Sequence, residues 1–509
     1  MNSNHCSHQV VIIGSGLAGM SCALHLAEHL PVALIFEDDH MSGATPWAQG
    51  GLSAVSDEQD SFEEHIKDTW EASAYQGKKE TIELFAKQCP QEIDWLIKLG
   101  VPFTKTKSGT YSLHREGGHS ARRIFHTHDH TGLTLAEHFA IRVQQHPNIQ
   151  CYQHHIAIKL IASDGHAHGV QTWNKSSKQC YEFRSPHIVL ATGGAAGLYP
   201  LSTCPNPAYG SGIALAHQAG AVVEHMEFTQ FHPTRFFHAK SPPFLISEAL
   251  RGEGALLLTQ DGERFMPQYH PLAELAPRDV VSRAIYQTLQ KKQQDHVLLD
   301  IRHRSEDELL KAFPRIAKHC AEYNIHLHRD CIPVSPAAHY TCGGVRVNHC
   351  GETSIRGLYA IGETANTGLH GANRLASNSL SECLVFARRT SIAIREKIPN
   401  VSQKPVVSLL PKTNDTMASQ SVCETQIQHI QSIMHQYLGI ARNSDGMRKA
   451  LAQLEHIDQI LQTSPHTGSL HTSGWKANHM ITIAKLIANQ ALSRTISCGA
   501  HFISASLNN

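Results

Sequence analysis

The sequence has no apolar run approaching the roughly 20 residues that a membrane-spanning helix needs. Neither sign of charge is in excess, because 44 Lys and Arg residues balance 44 Asp and Glu residues. Without a basic surplus, no global field attracts the chain to nucleic acid or to an anionic membrane. Only nine residues precede a strand-like segment at 10–13. They do not resemble a secretory signal, which predicts a cytoplasmic protein.

Paired metal-ligand motifs are also missing. The 13 cysteines are scattered and include no Cys-x-x-Cys, which argues against a zinc ribbon or a disulfide scaffold and favours reduced thiols. The 38 histidines include His126, His128 and His130, a spacing that permits metal ligation. No His-Glu-x-x-His or Cys/His pairing accompanies them. We therefore expect no metal site and mostly solvent-exposed histidines.

The N-terminal segment has the pattern of a strand, a glycine-rich turn, a helix and a second strand. The first apolar strand leads into Gly14, Gly16 and Gly19, and the second, residues 32–36, ends at Glu37. In such a unit the first glycine permits a tight turn and the second lets backbone N–H groups approach a pyrophosphate. The third lets the helix pack closely on the sheet. The helix N-terminus attracts phosphates, so the pattern predicts a dinucleotide-binding fold.

Two further strand–glycine units favour FAD over NAD as the ligand. One ends in Ala191-Thr192-Gly193-Gly194 and the other in Gly362-Glu363. A large two-part ligand needs contacts from distant segments of the chain, and three such units supply them.

The composition, with 41% hydrophobic and 17% charged residues, is globular, and 509 residues suffice for about three domains. We expect an α/β protein with a Rossmann-like FAD-binding domain in two segments, residues 1–226 and 337–401. The intervening residues 227–336 are predicted to form an α+β capping domain that contributes substrate ligands. Residues 402–424 have the composition of a linker. Residues 425–509 are predicted to form a C-terminal helical bundle, with helices at 425–441, 446–462 and 476–493.

Four basic side chains from distant segments are candidates for an anion site. They are His232, Arg278, His339 and Arg374. Arginine suits carboxylates because its planar fork bonds both oxygens. Buried positive charge without an anion is costly, so convergence of these four groups predicts a doubly charged anionic ligand. The alternative for each residue alone is a structural ion pair.

Several segments, in order along nearly the whole chain, resemble the succinate dehydrogenase/fumarate reductase flavoprotein superfamily. They are Ala48-Gln49-Gly50-Gly51, Gln230-Phe231-His232-Pro233-Thr234, Glu248-Ala249-Leu250-Arg251-Gly252-Glu253-Gly254, Pro277-Arg278-Asp279, His339-Tyr340-Thr341-Cys342-Gly343-Gly344 and Gly371-Ala372-Asn373-Arg374-Leu375-Ala376-Ser377-Asn378-Ser379-Leu380. Within that superfamily, the segment from Arg115 to Ile124 resembles the L-aspartate oxidase family, and its succinate-oxidising relatives lack the glutamate found here at Glu116. Those relatives also place a flavin-bonding histidine where this chain has Ala44, so the resemblance implies non-covalent FAD.

The resemblance implies a set of cofactor and substrate residues. His339 and Arg374 would hold one substrate carboxylate, and His232 and Ser247 the other. Arg278 corresponds to a proposed proton donor, which Glu248 and Arg251 would serve as a relay. A surface i,i+3 pair is the alternative for those last two. The residues expected to bind FAD are Gly14, Ser15, Gly16, Leu17, Gly19, Glu37, Thr45, Ala48, Gln49, Gly50, Gly51, Thr192, Gly193, Gly194, Ser211, Glu363, Ser379 and Leu380.

Glu116 is the residue expected to select an amino acid over succinate, because a carboxylate near the substrate ammonium stabilises it. The alternative is that Glu116 caps the adjacent Gly-Gly turn. The activity implied is oxidation of L-aspartate to iminoaspartate in quinolinate and NAD synthesis. Oxygen or fumarate would reoxidise the flavin, and quinolinate synthase would use the product.

Three departures from the family pattern and two other functions stay open. Ser211 stands where relatives usually have Asp near the flavin, and Ser247 stands where they usually have Thr. Cys498 replaces an arginine near the C-terminus. A fumarate reductase or succinate dehydrogenase flavoprotein subunit is the main alternative function. A non-catalytic flavin-binding protein, supported by Ser211 alone, is the weaker one.

Overall fold

The computed structural model describes residues 5–398, 417–463 and 472–504. The helices are α1 Leu17–Ala27, α2 Phe62–Ala72, α3 Lys79–Lys98, α4 Thr131–Gln145, α5 Ser211–Gln218, α6 Ala249–Gly252, α7 Arg278–Lys292, α8 Glu306–Ala312, α9 Pro314–Ala321, α10 Asn378–Lys397, α11 Met417–Tyr437, α12 Ser444–Thr463 and α13 Thr472–Ser493. The strands are β1 His5–Ser7, β2 Val10–Ile13, β3 Val32–Phe36, β4 Leu52–Ser53, β5 Leu113–His114, β6 Ile124–Phe125, β7 Ile149–Gln153, β8 His155–Ser163, β9 His166–Asn174, β10 Gln179–Arg184, β11 His187–Leu190, β12 Val223–Glu224, β13 Thr229–Phe236, β14 Leu256–Leu258, β15 Val297–Asp300, β16 Ile332–Thr341, β17 Gly344–Arg346, β18 Leu358–Ala360 and β19 Ala365–Asn366. None of these helices has both the length and the apolar composition that crossing a membrane requires.

A five-stranded parallel sheet is the centre of the first domain, with strand order β18-β11-β2-β3-β7. β2 and β3 are apolar and buried along their whole length, as strands with both faces covered must be. On one face α1 packs against α10 and α4. Because β18 comes from beyond the inserted region and pairs with β11, the predicted two-segment α/β fold is confirmed.

A β-hairpin lies where the sequence has Asp164-Gly165, a dipeptide typical of hairpin turns. β8 and β9 pair in antiparallel fashion around the turn at Asp164 and Gly165, whose φ angles are 51° and 71°. Two successive positive φ angles match the twist of the strands they join. β10 and β1 extend this sheet.

The inserted region contains an antiparallel sheet of order β13-β16-β15-β14, with α6 to α9 around a separate apolar core. The predicted mixture of helices and short strands is present. β16 runs from Ile332 to Thr341, so the predicted domain boundary at residue 336 falls inside a strand.

Three long helices near the C-terminus, α11 to α13, pack on one another and confirm the predicted helical bundle. α11 begins at Met417, so residues 417–424 of the predicted linker are helical, and residues 402–416 lie outside the described residues. The bundle shares an apolar core with the five-stranded parallel sheet. Tyr199 Oη donates to the Leu438 carbonyl at 3.0 Å, and the buried Arg442 donates to the Glu227 carbonyl at 2.8 Å.

Many histidines are buried, so the expectation that histidines are mostly solvent-exposed is wrong for these rings. They are His25, His40, His65, His119, His126, His155, His187, His232, His370, His479 and His501. His114 stacks on His126 with ring centroids 3.5 Å apart. Burial lowers the pKa of these two rings to about 3 and about 4, so they pack as neutral aromatic groups. In the part of the chain that the structure describes, no group of three or more His, Cys, Asp or Glu residues is arranged to hold a metal ion.

Candidate active site

A cavity of about 600 Å³ opens at the carboxyl ends of β2, β3 and β11. Ligands of open α/β sheets bind at this edge. Gln431 and Lys476 of the helical bundle also line the cavity, and the sequence analysis did not select either of them. Most of the predicted cofactor residues line this cavity: Gly14, Ser15, Gly16, Leu17, Glu37, Thr45, Ala48, Thr192, Gly193, Gly194, Ser211, Glu363, Ser379 and Leu380.

The glycine turn has the geometry that its sequence predicts. Gly14 has a φ of +115°, and a Cβ added there would lie 2.2 Å from the Ala191 carbonyl oxygen. A Cβ on Gly19 would lie 1.9 Å from the Gly14 carbonyl oxygen, so this glycine allows α1 to pack on the strand. At Gly16 the nearest atom is Thr45 Oγ1 at 3.5 Å. The open backbone at Gly16 and the N-terminus of α1 form a cradle that fits a pyrophosphate.

The acid that ends β3 lies among groups that the sequence analysis missed. Tyr209 Oη donates to Glu37 Oε2 at 3.5 Å, and Lys175 Nζ lies 3.5 Å from Glu37 Oε1. Burial raises the pKa of Glu37, and Lys175 opposes that shift. These neighbours come from β-sheet and loop segments far away in the sequence, so no local pattern indicated them.

Four predicted cofactor residues are not part of the cavity wall. Gly19 and Gly51 serve packing, since a Cβ on Gly51 would lie 2.1 Å from the Phe125 carbonyl oxygen. Gly50 faces the carboxylate of Glu116. The Gln49 side chain is buried, and within the described residues neither its amide nitrogen nor its oxygen has a partner. An orphaned amide with a donor and an acceptor fits a ligand with both, as an isoalloxazine ring has.

Two departures from the family pattern lie at the cavity. Ser211 is the first residue of α5 and lines the wall, so it offers a hydroxyl but no charge. Ala44 also lines the wall and has no nucleophilic side chain for a flavin bond.

The four predicted anion-binding residues converge, as the sequence analysis expects. The rings of His232 and His339 have centroids 5.1 Å apart. Arg374 donates from Nη2 to His339 Nε2 at 2.8 Å. Arg278 reaches the same cluster through Gln230, which accepts from Arg278 Nη1 at 3.3 Å and donates to the Arg374 carbonyl at 2.8 Å.

The positive charge of this cluster comes from its arginines. Burial and neighbouring cations hold the pKa of His232 and His339 well below the ordinary value, so both rings are neutral. Because Arg374 only donates, His339 Nε2 accepts, and its Nδ1–H donates to Thr203 Oγ1 at 2.7 Å. Burial, and secondly Arg278, lowers the pKa of Arg374 to about 10. Ser247 lies just before α6 and is buried. Its Oγ accepts a hydrogen bond from the Ala249 amide at 3.2 Å.

Glu248 lies between two arginines. Its Oε2 accepts from Arg278 Nε at 2.5 Å, and its Oε1 lies 3.2 Å from Arg251 Nη2. Burial would raise the pKa of Glu248, but the two arginines outweigh it and lower that pKa. The alternative of a surface i,i+3 pair is wrong, because Glu248 and Arg251 are 2% and 1% exposed.

Glu116 lies beside this cluster, on the loop after β5. Its Oε2 accepts from Ser377 Oγ at 2.5 Å, so the side chain does not cap the Gly-Gly turn. Burial and the nearby Glu248 raise the pKa of Glu116, and Arg278 opposes the shift. The cluster thus contains, in Glu116, a carboxylate that can take up or release a proton next to cationic groups.

Gln230 is a site residue that belongs to the Gln230–Thr234 motif but was not predicted to bind substrate or cofactor. Its amide also donates to Asn373 Oδ1 at 2.8 Å, so it joins the loop of Arg374 to α7 of the inserted region. Its position two residues before His232, on the same strand face, is the signal that could have indicated it.

Because the carboxyl group of Glu363 is buried, we expect it to make the stability of the protein depend on pH. Burial raises its pKa from the ordinary 4.5 to about 7, although the Thr341 amide donates to it at 2.8 Å. Between pH 4.5 and 7 the unfolded chain loses this proton and the folded chain keeps it. The contribution of Glu363 to the free energy of unfolding therefore falls by about 3 kcal/mol as pH rises through that window, and stays level above it. Denaturant unfolding of the flavin-free chain from pH 4.5 to 8 checks this. Glu363→Gln should remove that part of the slope, and an unchanged slope contradicts the prediction.

Comparison with known proteins agrees with the geometry. Residues 9–380 match the "FAD binding domain" family, and residues 427–505 match "Fumarate reductase flavoprotein C-term". The chain is 39% identical to an L-aspartate oxidase of Vibrio cholerae, covering 99% of this chain and 96% of that protein. It is 41% identical to the chloroplastic L-aspartate oxidase 2-b of Nicotiana tabacum, covering 96% and 80%.

Solved structures show the same fold. An E. coli quinol fumarate reductase has a TM-score of 0.88 at 28% identity, covering 99% of this chain and 92% of that one. Sdh1 of Mycobacterium smegmatis has a TM-score of 0.82 at 28% identity, covering 98% and 89%. With the FAD-domain match and the relatives above 30% identity, the chain belongs to the L-aspartate oxidase family of the succinate dehydrogenase/fumarate reductase flavoproteins.

Proposed function

We propose that this protein uses non-covalent FAD to oxidise L-aspartate to iminoaspartate, the first step of quinolinate and NAD synthesis. The observation that carries the proposal is the buried carboxylate of Glu116 within the electrostatic reach of Arg278 and Arg374. Two arginines supply positive charge for a dianionic substrate, and one carboxylate complements the substrate ammonium. A site for succinate alone has no use for that carboxylate.

The cofactor would lie in the 600 Å³ cavity, with the glycine turn holding its pyrophosphate and Glu37 its ribose. The chemistry that FAD supplies when bound is two-electron oxidation, by accepting the hydride that leaves Cα. We assign residues 1–226 and 337–401 to cofactor binding, residues 227–336 to a cap, and the C-terminal helices to a supporting domain.

The substrate would be held at both ends. Arg374, backed by His339, binds one carboxylate, and His232 with Ser247 binds the other. Glu116 accepts a hydrogen bond from the substrate ammonium and helps to remove its proton, which frees the nitrogen lone pair as the hydride departs from Cα. Arg278 orients the substrate and, in the reverse direction with fumarate, delivers a proton through the Arg251–Glu248–Arg278 chain.

The electron acceptor is oxygen or fumarate, the second of which fits the same dicarboxylate site. Iminoaspartate hydrolyses readily, so a consuming enzyme, quinolinate synthase, must take it quickly. We also propose that the reaction takes place in the cytoplasm.

A fumarate reductase or succinate dehydrogenase flavoprotein subunit is the second candidate, favoured by the 0.88 TM-score. To separate the two, the flavoprotein is purified, acid release confirms non-covalent flavin, and L-aspartate or succinate is added without oxygen. Bleaching of the flavin by aspartate alone supports the proposal. Bleaching by succinate alone supports the second candidate, and bleaching by neither indicates a non-catalytic flavin protein.

Glu116→Gln tests the selective carboxylate directly. Because the amide keeps the shape but not the charge, we expect kcat/KM for aspartate oxidation to fall about 10- to 100-fold, the loss of a charge-assisted hydrogen bond of roughly 1.5–3 kcal/mol. Fumarate reduction with a reduced dye should stay within about threefold, since fumarate has no ammonium. Steady-state kinetics on both substrates measure this, and equal losses would reject the selective role.

A further inference from the structure

The loop that presents Glu116 is a tight turn with no spare room. The His119 amide donates to the Glu116 carbonyl at 3.2 Å, and Gly118 has a φ of +83°, which the third position of such a turn requires of glycine. A Cβ on Gly117 would lie 2.3 Å from Glu248 Oε1, and one on Gly118 would lie 2.8 Å from Leu375 Cδ1. The turn has no room for a side chain at either glycine, and the bond between the His119 amide and the Glu116 carbonyl ties the position of Glu116 to that of His119.

The His119 side chain has a single consistent proton arrangement. Its Nδ1 lies 3.3 Å from Arg123 Nη1, and its Nε2 lies 2.9 Å from the Ala376 carbonyl oxygen. Because arginine only donates, Nδ1 accepts, so Nε2 carries the proton and donates to Ala376. This requires a neutral ring, and burial lowers the pKa of His119 to about 4. Arg123 is itself held by Asp60 at 2.7 Å and by Asp68 at 2.5 Å.

The other partner of this bond belongs to the loop that carries Arg374. Ala376 lies between Arg374 and Ser377, and Ser377 donates to Glu116 Oε2 at 2.5 Å. Ser377 has a φ of +59°, a conformation that costs a non-glycine residue roughly 1–3 kcal/mol and often marks a functional site. The two loops are thus joined twice, once through His119 and once through Glu116 itself.

The guanidinium of Arg374 has supports of its own. It bonds His339 at 2.8 Å and Ser379 Oγ at 3.0 Å, and its carbon lies 4.4 Å above the Tyr340 ring. Loss of the His119 bond therefore leaves Arg374 anchored and releases mainly the turn that presents Glu116.

We propose that His119 is a positioning residue for substrate selection: by tying the Glu116 turn to the Ala376 carbonyl, it sets the distance between Glu116 and Arg374 and so favours 2-amino dicarboxylates over plain dicarboxylates. This inference rests on the proposed function. It adds that the selectivity depends on a neutral imidazole that does not contact the substrate.

The test compares His119→Leu with His119→Gln in the FAD-loaded protein. Leucine removes both hydrogen bonds. Glutamine can accept from Arg123 and donate to Ala376, as the neutral ring does. For His119→Leu we expect kcat/KM for aspartate oxidation to fall about 10- to 100-fold, the effect of misplacing a binding group by about 1 Å. Fumarate reduction should stay within about threefold. His119→Gln should recover most of the aspartate activity.

Thermal unfolding and flavin content, measured on both variants, separate positioning from general damage. Equal losses of aspartate oxidation and fumarate reduction in His119→Leu would overturn the inference, as would a glutamine variant no better than leucine. The wild-type protein is the reference for the proposed function. If it does not oxidise aspartate, the proposed function fails. If it does, but His119→Leu loses aspartate oxidation and fumarate reduction equally, only this inference is refuted.

Discussion

Replacement of Arg278 by Gln should lower kcat for fumarate reduction about 10²- to 10⁴-fold, the usual contribution of a positioned proton donor. Arg278 is 7% exposed and bonds Glu248 at 2.5 Å, while Glu248 also meets Arg251. No other described arginine bonds both Glu248 and Gln230. Its removal would break the proposed Arg251–Glu248–Arg278 proton chain and withdraw one positive charge from the proposed dicarboxylate site. Aspartate oxidation should fall as well, because the substrate loses an orienting cation.

A matched control lies on the same helix. Arg283 places its guanidinium carbon 4.7 Å from the Phe502 ring, toward the C-terminal segment, so Arg283→Gln should keep both activities within about threefold. Stopped-flow reduction of the flavin and dye-coupled fumarate reduction measure the two directions. Arg278→Lys keeps a charge without the planar fork and should recover substrate affinity more than turnover. An Arg278→Gln protein with near-normal kcat would exclude Arg278 as the proton donor.

The parts of the fold that follow local rules were predictable from sequence. One local unit of about 30 residues contains the strand at residues 10–13, the turn glycines and the acid at Glu37. Its sequence is constrained by binding of one ligand and by close packing of α1 on the sheet. The hairpin at Asp164-Gly165 is likewise a local choice of backbone conformation. The start of α11 at Met417 was not predictable, because the Ser-, Thr- and Gln-containing segment lacks a helical pattern strong enough to overrule its linker-like composition.

Site residues were predictable where the side chain type alone limits its function, and unpredictable where the charge or contacts of the side chain depend on its neighbours. Arg374 and Arg278 have few functions when buried other than meeting an anion, and they converge. The imidazoles of His232 and His339 were expected to add potential charge, but desolvation in a cluster already positive makes them neutral. Tyr209 and Lys476 reach the cavity from segments with no motif. Burial and distance in the folded chain, which sequence spacing does not encode, determine both outcomes.

The glycines of the turn after β2 serve different purposes, so their replacement by alanine should have different effects. Gly14→Ala forces a side chain into a φ of +115° with its Cβ 2.2 Å from a backbone oxygen. Strain and overlap together should lower the free energy of unfolding of the flavin-free chain by about 2–6 kcal/mol. Gly262 has a φ of +85° but no heavy atom within 4 Å of an added Cβ, so Gly262→Ala should cost only about 1–2 kcal/mol.

Gly16→Ala should leave the stability of the flavin-free chain nearly unchanged and weaken FAD binding instead. Gly16 has ordinary extended dihedrals, and an added Cβ would meet only Thr45 Oγ1 at 3.5 Å, so the flavin-free chain should keep its stability within about 1 kcal/mol. The new methyl group enters the space where backbone N–H groups meet a pyrophosphate, which should weaken FAD binding about 10- to 100-fold. Denaturant unfolding of the flavin-free chain and fluorescence titration with FAD measure the two quantities separately. If Gly16→Ala destabilised the chain as much as Gly14→Ala, its glycine would serve packing, and the cofactor would have to bind elsewhere along the cavity.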